Sequence, residues 1–230
     1  MTGAEKQAGD DPVPAWARRT AGESRLWATA AVVALLVLQF FLPDRFTPGP
    51  RWIVPAVGFV LLAGLIIASP IRLDREEIWF RRFSLLQMAL LGFSMIWAVV
   101  ELVLGLIDGS VSKDAAGLLA AGAAVWMSNV LVFALWYWEL DRGGPAARAH
   151  HRRPYPDFLF VQMQNPDLAD PEWTPEFPDY LYLSFTNATA FSPTDVMPMS
   201  RYAKALMAMQ SGIALVTMSL VIARAVNVFN

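Results

Sequence analysis

Residues 186–198, TNATAFSPTDVMP, place hydroxyls at Thr189, Ser192 and Thr194 and a carboxylate at Asp195 between a short aromatic run and the last long apolar stretch. Oxygen groups of this kind attract cations, and little else in the chain offers chemistry. There is no cysteine, which removes disulfides and thiolate metal sites. The two histidines, His150 and His151, are adjacent in an arginine-rich stretch, and no metal-ligand spacing occurs. No acid, base and nucleophile gather in one segment. The expectation is a protein that is not an enzyme and carries no cofactor and no resident metal. Taken alone, 186–198 is a polar loop between two membrane helices, the commonest use of such a stretch. Gln210, Ser211 and Gly212 interrupt the following apolar run. They either face a cavity, with Gly212 permitting a bend, or serve as polar glue and a small packing residue.

Composition sets what must hold these residues in place. Of 230 residues, 56% are hydrophobic and only 17% charged, against ~25% charged in soluble domains. Mean hydropathy is +0.40, so the chain reads as an all-α integral membrane protein. A net charge of −2 argues against a nucleic-acid partner. Five segments are long enough to cross a bilayer: 26–42, 52–69, 84–107, 115–138 and 203–228. Pro43 and Pro70 close the first two, and tight turns at Pro48-Gly49-Pro50 and at DGSVSKD imply two antiparallel hairpins. Trp27, Trp52, Trp79, Trp136, Tyr137 and Trp138 lie near segment ends, where amphipathic rings favour the headgroup level.

Residues 139–183 are too polar to span, and six prolines between 154 and 178 discourage regular structure there. From Pro154 to Ser200 there is no Lys, Arg or His, but there are seven acids, from Asp157 to Asp195. Within this stretch FPDYLYLSF restarts a helix, with a proline and an acid suited to its first turn. The run 179–188 is too short to span but fits a re-entrant half-helix.

Residues 177–200, FPDYLYLSFTNATAFSPTDVMPMS, resemble the pore of tetrameric potassium channels, in which a short helix ends TATTVGYGD before a proline and the inner helix. Asn187-Ala188-Thr189 stands at the helix end, and Ala190-Phe191-Ser192-Pro193-Thr194 at the filter. Asp195 stands at the acid after it, and Val196-Met197-Pro198 leads into the inner helix. The chain also resembles a family of bacterial membrane proteins of unknown function with the same five-helix layout. The channel resemblance implies a homotetramer, with 115–138 as outer helix, 139–178 as loop, 179–188 as pore helix, 189–195 as filter and 203–228 as inner helix. It makes Thr189, Ala190, Phe191, Ser192, Pro193, Thr194 and Asp195 the ion path, and lets Gln210, Ser211 and Gly212 face the cavity.

The filter departs from the potassium pattern. Carbonyl ladders use glycines because the backbone needs positive φ; here Ser192 and Thr194 replace them and Pro193 stands at the aromatic position. What the resemblance then implies is a wider, weakly selective cation path, with monovalent cations as partners alongside the lipid bilayer. The alternative is a non-conducting scaffold or accessory protein that keeps the pore fold. Residues 1–25 form a polar N-terminal segment and 26–110 a peripheral three-helix unit beside the pore module 111–230.

Basic residues orient the chain. Lys6, Arg18, Arg19, Arg25, Arg72, Arg75, Arg81, Arg82, Arg142, Arg148, Arg152 and Arg153 lie in one set of alternating loops, against Arg45, Arg51 and Lys113 in the other. This asymmetry puts the N-terminus in the cytoplasm, in a bacterial inner membrane. It also puts the filter on the cytoplasmic side, opposite to the external placement that the resemblance implies.

Overall fold

The computed structural model describes residues 13–68, 78–110, 115–189 and 195–229. In chain order the helices are α1 (Leu26–Phe41), α2 (Ile53–Ala68), α3 (Ile78–Ile107), α4 (Ala115–Leu140) and α5 (Pro145–Ala149). Strand β1 (Phe158–Phe160), α6 (Val161–Gln164), α7 (Phe177–Thr189), β2 (Val196–Pro198) and α8 (Arg201–Phe229) follow. Among the described residues, three helical stretches are long and apolar enough to cross a membrane: Trp79–Ile107, Ala116–Gly143 and Arg201–Val226. The chain is thus mostly helical with membrane-helix character. The other two expected spans, α1 and α2, are apolar helices of 16 residues each. At ~1.5 Å per residue that is about 24 Å, a little under the hydrocarbon thickness of ~30 Å.

End contacts set the directions. Arg25, just ahead of α1, donates to the Leu65 carbonyl near the end of α2. Arg81, early in α3, donates to Gly143 just beyond α4, and the Tyr202 hydroxyl in the first turn of α8 donates to the Leu140 carbonyl (3.2 Å). At the opposite end Arg45, between α1 and α2, donates to Ser110 beyond α3 (3.0 Å) and faces Glu101 (4.0 Å). The long helices therefore alternate, and Arg25, Arg81 and the α4–β1 connection gather at one end, here called the basic end.

Helix α4 is the hub, with Val130–Leu135 buried almost without interruption. A run buried on every side is what a central membrane helix shows, and no single apolar stripe would have marked it. One hydrophobic core joins Leu35 and Leu36 of α1, Leu91 of α3, Leu135 of α4, Leu183 of α7 and Met207 of α8. Close approach is bought with glycine at Gly122, where an added Cβ would lie 2.8 Å from Val221 Cγ1 across the α4–α8 contact.

Two features differ from the sequence expectation. The stretch 139–178 is ordered: it holds α5, α6 and β1, and β1 pairs antiparallel with β2 in the register Phe158↔Pro198, Leu159↔Met197, Phe160↔Val196. Pro145 opens α5, where a proline suits the first turn, and no proline falls inside β1, so the ladder survives. Helix α3 also begins six residues before the expected 84, because Arg81 and Arg82 are accommodated by the Gly143 carbonyl and the Trp79 ring.

The course of α7 follows from its neighbours. Tyr180 lies beside Asp141 at the end of α4, and Ser184 donates to the Val130 carbonyl (2.6 Å). Phe185 meets Trp126 edge-on at 5.8 Å between centroids. Asp141 to Val130 is eleven residues of chain, about 16 Å of helix. So α7 descends from the basic end to the middle of the bundle, packed against both α4 and α8. By Val196 the chain is back at the basic end, paired with Phe160.

Candidate functional site

Of the residues expected to form an ion path, Ala190, Phe191, Ser192, Pro193 and Thr194 lie outside the described residues. Thr189 ends α7 in an exposed position, its hydroxyl bonded back to the Phe185 carbonyl (2.8 Å). Asp195 is half-buried and accepts a hydrogen bond from the Tyr182 hydroxyl of α7. The two ends of the segment are therefore both tied to the same helix.

Behind that helix lies a buried polar network. Gln210 of α8 is fully buried; its Oε1 accepts from the Tyr137 hydroxyl (2.6 Å) and from Asn187 Nδ2 (2.8 Å). Its Nε2 donates to Ser184 Oγ (2.7 Å) and to the Ser184 carbonyl (3.0 Å). Asn187 also donates to the Met207 carbonyl (3.0 Å), and Ser211 donates to Asn187 Oδ1 (3.1 Å). Asn129 of α4 reaches the Gln210 carbonyl at 3.4 Å. Five side chains from three helices, Tyr137, Ser184, Asn187, Gln210 and Ser211, thus bond one another away from water, which fixes the rotation and depth of α7. Gln210 and Ser211 are brought together with α7. Gly212 is exposed on the far side of α8, with nothing within 4 Å of where a Cβ would stand.

A second cluster, at the basic end, escaped the sequence reading. Asp141 is fully buried; Oδ1 accepts from the amides of Asp157 (2.9 Å) and Phe158 (3.3 Å), and Oδ2 from the Tyr180 hydroxyl (2.6 Å). Arg148 donates to the Trp138 carbonyl (2.5 Å), the Asp141 carbonyl (3.0 Å) and Glu23 Oε1 (2.6 Å), and its guanidinium lies over the Tyr180 ring. Arg142, at φ +53°, donates to the carbonyls of Arg153 (3.0 Å) and Trp16 (2.8 Å). It also bonds His151 Nδ1 (3.0 Å), which must accept because the guanidinium only donates. Burial pushes the Glu23 carboxyl above its ordinary value, against the pull of Arg148.

This charged cluster pins the N-terminal segment, β1 and the start of α7 onto the end of α4. Its one sequence signal is DRGGP directly after a membrane helix: Gly143 (φ +88°) and Gly144 (φ +98°) turn the chain back so that Arg148 returns to α4. Two of the arginines used to orient the chain, Arg142 and Arg148, are therefore buried structural groups. No group of three or more metal-ligating side chains occurs among the described residues. Compared with protein-family models, curated proteins and solved structures, the chain matches none.

Proposed function

We propose that this protein is the subunit of a homotetrameric, weakly selective cation channel with five membrane-crossing helices, α1–α4 and α8, and a re-entrant pore helix, α7. The observation that carries the reading is the path of α7. It enters from one end, stops at mid-depth between α4 and α8, and the chain is back at the same end by Val196. A helix that ends at membrane depth is tolerated there only where it is buried in protein or lines an aqueous cavity. The hydroxyls of Thr189, Ser192 and Thr194 and the carboxylate of Asp195 are residue types suited to cations. The exposed side of α8 carries Ala205, Ala208, Gly212 and Ser219, small residues that let copies approach around an axis. One subunit supplies only a quarter of such a path, hence the tetramer.

A second reading, a non-conducting scaffold, is favoured by one observation. The polar side chains of Tyr137, Ser184, Asn187 and Gln210 are consumed within a single subunit. Cross-linking in detergent and ion flux from liposomes separate the two. The channel reading expects a cross-linked tetramer and flux, with Na⁺ and K⁺ permeabilities within about tenfold of each other, since tenfold is only ~1.4 kcal/mol. Asp195→Asn is expected to reduce that flux more than Asp167→Asn, which alters an exposed turn. Tetramers without flux favour the scaffold, and a monomer without flux removes both the axis and the channel.

A further inference from the structure

Away from α7, a cavity of about 400 Å³ opens at the basic end between α1, α2, α3 and α4. That volume falls in the range of small-ligand pockets. Four arginines line it, Arg25, Arg81, Arg82 and Arg152, against one carboxylate, Glu139, which already accepts a hydrogen bond from Ser84 (2.9 Å). Arg81 and Arg152 are exposed, and Arg82 is exposed with its guanidinium over Trp79. Farther in, the lining turns apolar, with Ala28, Val32, Leu62, Leu65, Met88 and Leu135.

One side chain breaks that apolar lining. Gln87 is fully buried, lines the cavity and has no hydrogen-bond partner at either Nε2 or Oε1. An unmet buried amide is unfavourable, so a ligand that reaches Gln87 from the cavity gains a hydrogen bond that no protein group supplies. Gln87 lies six residues along α3 from Arg81, about 9 Å deeper. The cavity is therefore cationic at its mouth, carries one polar contact below, and is apolar beyond.

We infer that this cavity binds a single anionic phospholipid. Its phosphate sits among Arg81, Arg82 and Arg152, an ester oxygen accepts from Gln87 Nε2, and an acyl chain lies against Val32, Leu62 and Leu135. Basic pockets between membrane helices favour anionic headgroups in this way, and the mouth opens at the end of the bundle where headgroups are found. The change from charge to hydrocarbon over a few ångströms matches an amphiphile; a folded protein partner or a peptide has no such gradient. The inference stands whether or not the protein conducts.

The test is native mass spectrometry and thermal unfolding of the full chain in a mild non-ionic detergent. Phosphatidylglycerol, phosphatidylcholine or inorganic phosphate is titrated in. Wild type is expected to retain one phosphatidylglycerol at least about tenfold more tightly than phosphatidylcholine, with a rise in unfolding temperature that phosphate alone does not reproduce. The exposed pair Arg82→Gln with Arg152→Gln is expected to abolish the preference for phosphatidylglycerol over phosphatidylcholine. Gln87→Leu is expected to stabilise the lipid-free protein and weaken lipid retention; a glutamine with a purely structural role would destabilise it instead. Equal retention of the two lipids, an equal shift with phosphate alone, or no bound lipid would each overturn the assignment. Unchanged phosphatidylglycerol binding when Ala28→Leu fills the cavity would do so as well.

Discussion

Arg148 shows how much one side chain can hold when it is buried with all its bonds made. It ties Glu23, ahead of α1, to the carbonyls that end α4. Arg148→Met leaves Glu23 buried without its counter-charge, and such a loss costs about 3–5 kcal/mol. The expected result is a markedly lower unfolding temperature in detergent, partly restored by adding Glu23→Gln. The same carboxyl imposes a pH dependence. Burial raises its pKa in the folded state, so between the unfolded value near ~4.3 and the raised one the folded protein holds a proton that the unfolded chain releases. Its stabilising contribution is therefore full below the unfolded value and is lost as pH rises through the folded one. Glu23→Gln is expected to give a shallower fall in unfolding temperature between acidic and neutral pH, and an unchanged slope would show that other buried acids carry it.

At the scale of elements, the depth of α7 depends on Gln210. Gln210→Leu strands the Tyr137 hydroxyl and removes an acceptor from Asn187 and a donor to Ser184. Each group left unmet in the interior costs about 1–3 kcal/mol. Tyr137→Phe removes one bond while Gln210 Oε1 keeps Asn187, so it should cost about 1 kcal/mol. Amide hydrogen exchange across residues 180–189 is expected to accelerate far more in the first variant than in the second, and equal acceleration would show that α7 is held by apolar packing alone. The α4–α8 contact has its own requirement at Gly122. A methyl there would meet Val221 at 2.8 Å, and a β-branched neighbour has little freedom to yield. Gly122→Ala is expected to destabilise by about 1–3 kcal/mol despite the better helix propensity of alanine. Val221→Ala in the same chain is expected to recover part of the loss, read as a coupling in a double-mutant cycle.

For the whole molecule, alternation of the helices brings Arg25, Arg81, Arg82 and Arg152 to one end, together with the acidic residues that precede α7. From the charge asymmetry of the loops we propose that this end is cytoplasmic. Leu168, almost wholly exposed at 88%, offers a clean reporter in a chain with no native cysteine. Leu168→Cys is expected to resist a membrane-impermeant thiol reagent in intact cells and to react once the cells are opened. Labelling of intact cells would place this end outside, as in the potassium channels that the segment resembles.

What the sequence by itself determined is local. Apolar runs of spanning length, prolines at their ends, and FPD opening a short helix each depend on residues adjacent in the chain. The observed α1, α2, α4, α7 and α8 lie within two residues of the expected limits. Only the tertiary structure decided which polar groups meet. Gln210 stands 73 residues from Tyr137, and Arg148 stands 125 from Glu23, so no spacing in the chain announces either pair. Gln87, by contrast, has no protein partner at all. In the sequence it is one glutamine in an apolar helix, and only the walls contributed by α1, α2 and α4 turn it into the floor of a cavity. Burial of polar groups in this protein is settled by which helices lie alongside one another, and that is a property of the assembled bundle.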